Sequence, residues 1–195
     1  MTSHHTFLIT GVPGVGKTSI ANAVATNFQL PLINFGDILF QKIQAAKLGI
    51  QQVDQIRIKL PFKLYQKYQL ATAKEIAKIK GNIIITSHLS IDTPTGFKPG
   101  FPQKVVDVIS PSIIFVIQSP ADEIRKRRLT DQDNRQRGQK LERWIEFHQS
   151  LNRALAANYA FYTGHYVYPV QNKQGQINAC IQEINEVIGQ ILEKK

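Results

Sequence analysis

An α/β fold, a five-stranded parallel sheet with helices on both faces, is what this chain of 195 residues predicts. Three observations lead there. Five short apolar runs recur along the chain, stretches of helix length separate them, and the length suits one core. Hydrophobic residues make up 43% and charged residues 19%, an ordinary globular balance rather than that of a disordered tail. At this size folding buries roughly 70% of the unfolded surface.

The strand-like runs are FLIT (7–10), LINF (32–35), NIIIT (82–86), SIIFVIQ (112–118) and HYVYPV (165–170). Their near-continuous apolarity is the signature of strands covered on both faces. Between them, Lys17 to about Phe28 carries Ile20, Val24 and Phe28 at spacings of four, a helical stripe. A second helix is predicted from Asp37 to Gly49, with the glycine as its stop. Leu64, Tyr65, Tyr68, Ile76 and Ile79 give a helical pattern over Phe62 to Lys80, with Pro61 at its start and Gly81 at its end. In SPAD (119–122), a capping serine, a first-turn proline and an acid three residues on predict a helix through Leu129. The polar stretch TDQDNRQRGQ (130–139) then leads to a long helix ending near Thr163 at Gly164, and a last helix covers Ile177 to Glu193. With no repeat and no composition break, residues 1–195 read as one domain.

Composition narrows the function classes. No apolar run reaches the length of about 18 residues that a membrane span needs, and MTSHHTF lacks the features of a leader, so a soluble cytoplasmic chain is expected. Cys180 is the lone cysteine, which excludes an intrachain disulfide and a thiolate metal cluster. A formal charge of +10 favours anionic partners: nucleotides, nucleic acid or an acidic surface.

The segment GVPGVGKTS, Gly11 to Ser19, chooses among them. Gly11, Gly16, Lys17 and Thr18 satisfy G-x-x-x-x-G-K-[ST] between a predicted strand and a predicted helix, the context a P-loop requires. There the glycines turn successive N–H groups toward a polyphosphate, Lys17 reaches the β and γ oxygens, and the Thr18 hydroxyl binds Mg²⁺. A P-loop NTPase that holds ATP on Gly11, Val12, Pro13, Gly14, Val15, Gly16, Lys17, Thr18 and Ser19 follows. A turn that merely joins strand to helix has no need of this lysine and hydroxyl.

Phosphoryl transfer also needs a second substrate in line and positive charge around the moving group. Two sets of residues are candidates. NFGD (34–37), Arg57 and the loop HLSIDTPTGFKPGFP (88–102) fall near strand C-terminal ends, where such sheets bind ligands. Arg125, Lys126, Arg127 and Arg128, with Arg135 and Arg137 across the polar stretch, are either a solvated helix face or a short Arg-rich lid over a triphosphate. Within that set Arg127, Arg135 and Arg137 are, with Lys17, the catalytic candidates. His148, four residues after Trp144, reads as packing or capping rather than catalysis, and the aromatic residues Tyr159, Phe161, Tyr162, Tyr166 and Tyr168 read mainly as core, with part of that surface or of the last helix free for a subunit contact. No zinc spacing occurs.

GVPGVGKTS, NFGD, DQIRIKLPFKLYQKYQLATAKEIA, TPTGFKPGFP, the RR…RQR arginines and HQSLNRALAANYAFYTG together resemble the archaeal-type adenylate kinases, in that family's order from about residue 7 to residue 170. The resemblance implies a nucleoside monophosphate kinase that makes two ADP from Mg-ATP and AMP. It also implies an acceptor-binding region over about 37–80, a zinc-free lid over about 129–139 and a trimer. Carried over residue by residue, AMP lies beside Asp37, Arg57, His88, Gly96, Phe97 and Gly100.

Two positions depart from the family pattern. Thr86 stands where the family has an aspartate that orients Mg²⁺ through water, which predicts weaker metal affinity. Asp92 stands where a basic residue precedes TP; a carboxylate about 4 Å from the acceptor phosphate repels it by about 1 to 4 kcal/mol. Lys98 swinging in, Asp92 turning outward and leaving the grip to Arg57, and Asp92 as a metal ligand are the open arrangements. A kinase for another small acceptor, and a basic nucleotide-binding protein that contacts RNA through Arg125 to Arg137, remain the alternatives to adenylate kinase.

Overall fold

The computed structural model describes residues 4–130 and 141–193. Thr6–Gly11 (β1) lies at the centre of a sheet, with Ile83–Ser87 (β3) on one side and Ile113–Gln118 (β6) on the other. Leu32–Asn34 (β2) and Tyr166–Gln171 (β7) close the two edges, so the order is β2-β3-β1-β6-β7 and every pairing is parallel. All five strands lie where the apolar runs predict them. Side chains alternate strictly: Phe7, Ile9, Ile84, Phe115 and Ile117 enter one core, and Leu8, Ile83, Ile85, Ile114 and Val116 the other.

Lys17–Phe28 (α1), Ala121–Thr130 (α6) and Ile177–Glu193 (α8) cover the first core. Phe35–Ala45 (α2), Val53–Lys59 (α3), Phe62–Ile76 (α4), Gln103–Ile109 (α5) and most of Glu142–Thr163 (α7) cover the second. Burying Ile184 and Ile188 of α8 contributes about 2 kcal/mol each, which holds this helix against α1. At the β7 edge, Tyr166 donates its N–H to Ser112 and Asn172 to Gln118. Odd residues between them therefore turn their backbone outward, and Pro169 is one of these, so the edge lacks a donor there.

Several expectations need correction. The second helix starts at Phe35, not Asp37, because the Asn34 side chain caps it by accepting from Gly36 N–H at 3.0 Å. It stops at Ala45, four residues before Gly49. The Phe62 helix ends at Ile76 rather than Lys80, with Ala77 as its C-cap. Helices α3 and α5, each of 7 residues, have too few turns to leave a readable stripe in the sequence. TPTGFKPGFP is not an open loop: Ser90–Thr93 (β4) and Gly96–Pro99 (β5) form an antiparallel hairpin around Pro94 and Thr95. Ser119 does not act as a simple helix cap, since its hydroxyl lies 2.7 Å from the Asn172 carbonyl and 3.1 Å from the Glu123 carboxylate. Among the late aromatics Tyr159 is core, whereas Phe161, Tyr162 and Tyr166 are 88%, 67% and 69% exposed, so the core reading of that group holds only in part.

Candidate functional site: two cavities that meet at the P-loop

The turn from β1 into α1 is held by three side chains from distant parts of the chain. His88 Nδ1 lies 2.7 Å from the Gly11 carbonyl, Arg128 Nε donates to the Pro13 carbonyl at 2.8 Å, and Asn172 Nδ2 donates to the Val15 carbonyl at 2.8 Å. A carbonyl only accepts, so the His88 proton sits on Nδ1. Carbonyls 11, 13 and 15 are thus tied outward. Gly16 (φ 92°) is the N-cap of α1 and offers no side chain to cap it, and the first turn carries no acid. The first N–H groups of α1 and the positive end of its dipole are left for an anion. Glycine is required at 14 and 16 twice over: both have positive φ, and a Cβ would come within 2.9 Å of Arg128 Cγ and 2.4 Å of Asn172 Nδ2.

Around this turn lies a cavity of about 510 Å³. Of the P-loop residues, Val12, Pro13, Gly14, Gly16, Lys17, Thr18 and Ser19 line it, while Val15 is buried in the core and Gly11 sits against the Ile117 carbonyl. Lys17, Arg127 and Lys173 bring three cations to its wall, and among the described residues no carboxylate lines it. Arg127 is braced by Glu123 at 2.9 Å, the Asn172 carbonyl at 3.3 Å and Gln174 at 3.3 Å, and its buried Nη1 has no hydrogen-bond partner among the described residues. The neighbouring cations are engaged elsewhere: Arg125 with Glu142 at 3.3 Å, Lys126 with Asp122 at 3.2 Å, Arg128 with the P-loop. The basic run RKRR is therefore four separate roles rather than one surface. Arg135 and Arg137 lie outside the described residues, as does most of the 129–139 segment.

A second cavity, of about 220 Å³, shares Pro13 and His88 with the first. Asp54, Arg57, Tyr65, Ser90, Asp92, Arg128 and His148 supply its polar wall, with Asp54 Oδ1 3.9 Å from Arg57 Nε, and Leu39, Val53, Ile56 and Ile91 its apolar one. Of the residues the resemblance assigns to AMP, Arg57 and His88 are here. The others are not in the wall. Asp37 is an exposed first-turn acid of α2, suited to the helix dipole. Gly96 (φ 113°) makes the hairpin turn, Phe97 stacks on Trp144 with centroids 5.0 Å apart, and Gly100 passes so close to the His88 carbonyl that a Cβ would be 2.3 Å from it.

Asp92 belongs to the wall, which contradicts an outward-turned carboxylate; Trp144 Nε1 donates to its Oδ2 at 3.1 Å. Lys98 does not replace it. Its ammonium lies over the Tyr65 ring at 4.2 Å and donates to the Arg57 carbonyl at 3.3 Å, and burial, then the Arg57 charge, lower its pKa. His148 is a structural group, as its helix position predicts, but one that also reaches the wall. Its Nε2 sits 2.9 Å from Ser90 Oγ, and burial pushes its pKa down to about 4. Asn152 Nδ2 donates to the same hydroxyl at 3.0 Å, so α7 fastens β4. Thr86 is buried in the sheet and lines neither cavity.

Sequence reasoning missed the loop after β7. Asn172, Lys173, Gln174 and Gly175 line the first cavity, and the available signal was their position just past the C-terminal end of a parallel strand.

A parallel sheet, a glycine turn that opens a helix, and two cavities joined at that turn define a P-loop kinase. A family model described as an AAA domain matches residues 10–146. The chain is 35% identical to the adenylate kinase of Pyrococcus horikoshii over 93% of this chain and 92% of that protein. It is 33% identical to that of Methanopyrus kandleri (94% and 97%) and 34% to that of Methanocaldococcus jannaschii (93% and 96%). It belongs to the archaeal adenylate kinase family. A shikimate kinase from Acinetobacter baumannii in complex with shikimate superposes with a TM-score of 0.70 at 14% identity, covering 100% of this chain and 97% of that one, which shows the fold.

Proposed function

We propose that this chain is an adenylate kinase that moves the γ-phosphate of ATP from the first cavity onto AMP in the second. The observation that carries the reading is the junction at Pro13 and His88. One side is a cationic recess at the glycine turn for a polyphosphate, with no carboxylate in its wall among the described residues, and the other is a smaller recess with Arg57 and Arg128 for a monophosphate.

In the transfer an oxygen of the AMP phosphate forms the new bond to the γ-phosphorus as the β,γ-bridging bond breaks, and the β-phosphate leaves with the electron pair, giving two ADP. No covalent enzyme intermediate is required, because positioning and charge neutralisation supply the barrier reduction. The P-loop N–H groups hold the β-phosphate. Lys17 spans the β and γ oxygens, and Arg127 meets the charge that spreads on the moving group, joined by Arg135 and Arg137. His88 acts as a positioning residue, since its Nδ1–H is committed to the Gly11 carbonyl.

Mg²⁺ is expected with the nucleotide. Among the described residues no cluster of three His, Cys, Asp or Glu side chains exists to hold a metal, and the first cavity offers the hydroxyls of Thr18 and Ser19. That donor set fits an ion held chiefly by the nucleotide, for which the Thr18 hydroxyl would be the protein ligand. When bound, the ion neutralises phosphate charge. Residues 37–80 serve as the acceptor-binding part of a single domain over 1–195, and the lid that the resemblance implies, about 129–139, falls almost wholly outside the described residues. A cytoplasmic trimer is the setting the family suggests; no helix among the described residues is long and apolar enough to cross a membrane.

Pure protein with Mg-ATP should produce ADP in a coupled assay only when AMP is added, ahead of CMP, UMP and GMP. Absence of AMP-dependent ADP would overturn the assignment.

A further inference from the structure

Positive charge is not spread evenly over this molecule. Between Arg57 and Lys80 seven lysines and arginines face Glu75 alone, a net of +6 out of the +10 of the whole chain. At the opposite pole, across the sheet, α8 carries Glu183, Glu186 and Glu193 and no basic residue.

Helix α4 organises the basic pole. Tyr65, Gln69, Thr72, Ala73 and Ile76 are buried, and Gln69 is further fastened by donating to the Gly100 carbonyl at 2.8 Å, so the rotation of the helix is fixed. Lys63, Lys67 and Lys74 are all exposed and, at 3.6 residues per turn, fall within about 40° of one another around its axis. Lys78, also exposed, continues the row in the turn that follows. Glu75, the one acid nearby, is turned aside and paired with Lys42. None of the four lysines forms an ion pair with a described residue. The row is roughly 22 Å long at 1.5 Å per residue.

We propose that this row is a docking surface for the sugar-phosphate backbone of a nucleic-acid strand. A mononucleotide bound in the second cavity accounts for the near end only. Lys74 and Lys78 lie about 14 and 20 Å along the axis from Tyr65, the α4 residue in the cavity wall, whereas charges in water are screened over about 8 Å. A partner that needs all four cations is therefore a polyanion. The row is straight and contains no large exposed apolar side chain. Phe62, exposed nearby, sits about 100° off the row, so nothing on this face is arranged to enter a lipid layer. The Arg125 to Arg128 run, by contrast, is engaged with Glu142, Asp122, Glu123 and the P-loop, which makes α4 and not α6 the free basic face.

The experiment is fluorescence anisotropy with a labelled 30-nucleotide single-stranded RNA and a duplex DNA of equal length, titrated with full-length protein from 50 to 200 mM salt. The variant Lys63→Gln/Lys67→Gln/Lys74→Gln/Lys78→Gln is expected to weaken RNA binding at least 30-fold at 50 mM salt. It should also flatten the slope of log affinity against log salt by about 3, with the melting temperature unchanged. A charge-matched control, Lys47→Gln/Lys104→Gln/Arg143→Gln/Arg153→Gln, should weaken it less than fivefold. Equal weakening by both quadruple variants, no binding of either nucleic acid by 100 μM wild-type protein, or capture by phosphatidylserine vesicles without RNA binding would each overturn the proposal. RNA affinity and salt slope left at wild-type values in the lysine variant would do so as well, and none of these results bears on the AMP assay of the wild-type protein.

Discussion

The two cavities are built by different means. The first is built on a contiguous run of nine residues whose carbonyls at 11, 13 and 15 are tied by distant side chains, and it leaves the side-chain-uncapped start of α1 and three nearby cations to one large recess. The second is side chains drawn from α2, α3, α4, β4, α6 and α7, with cations and two carboxylates, Asp54 and Asp92, in the same small wall. A backbone cradle reads any polyphosphate in the same way, whereas a side-chain wall can be retuned one residue at a time. Asp92 sits in the second wall, where such retuning is possible.

Lys17→Met gives the sharpest test of that contrast. Loss of a preorganised cation at the moving phosphate is expected to cut kcat about 10³-fold, with melting temperature unchanged. A loss confined to KM would mean that the lysine serves ground-state binding alone.

The second cavity should carry the pH sensitivity of the fold. The His148 pKa is depressed from 6.5 to about 4 by burial, so the unfolded state binds the proton more readily. Its stabilising share is full above about pH 6.5 and lost as pH falls toward 4, up to about 3 kcal/mol. Urea unfolding of wild type and His148→Gln across pH 4 to 7 should show a flatter profile in the variant, and parallel profiles would remove His148 as the source.

Asn172→Ala removes a donor to the buried Val15 carbonyl and should raise KM for ATP about tenfold while leaving KM for AMP within twofold. Equal rises in both constants would show that the two cavities are not independent. The smallest expected effect is Asp92→Asn. Removing one charge near the acceptor phosphate is worth about 1 kcal/mol in a solvent-like dielectric, which lowers KM for AMP about fivefold. A higher KM would instead make Asp92 a ligand for a donor group on the acceptor.

Much of this was legible in the chain itself. All five strands carried apolar runs, and α1 and α8 were bounded correctly, because their stripes and stops are local. Short α3 and α5 and the β4–β5 hairpin were not, since two turns of helix leave too little period and a hairpin containing two prolines resembles a loop.

Nine neighbouring residues were enough to announce a phosphate cradle, because its chemistry lies in backbone amides and in the φ values only glycine readily adopts. Which arginine of RKRR faces that cradle, that Asn172 locks it from 157 residues away, and that Asp92 joins the wall of the second cavity beside Trp144 were decided by the packing of α6, β7 and α7 on the sheet. Hydrogen bonds of that kind depend on distances in space, and spacing along a chain carries no record of them.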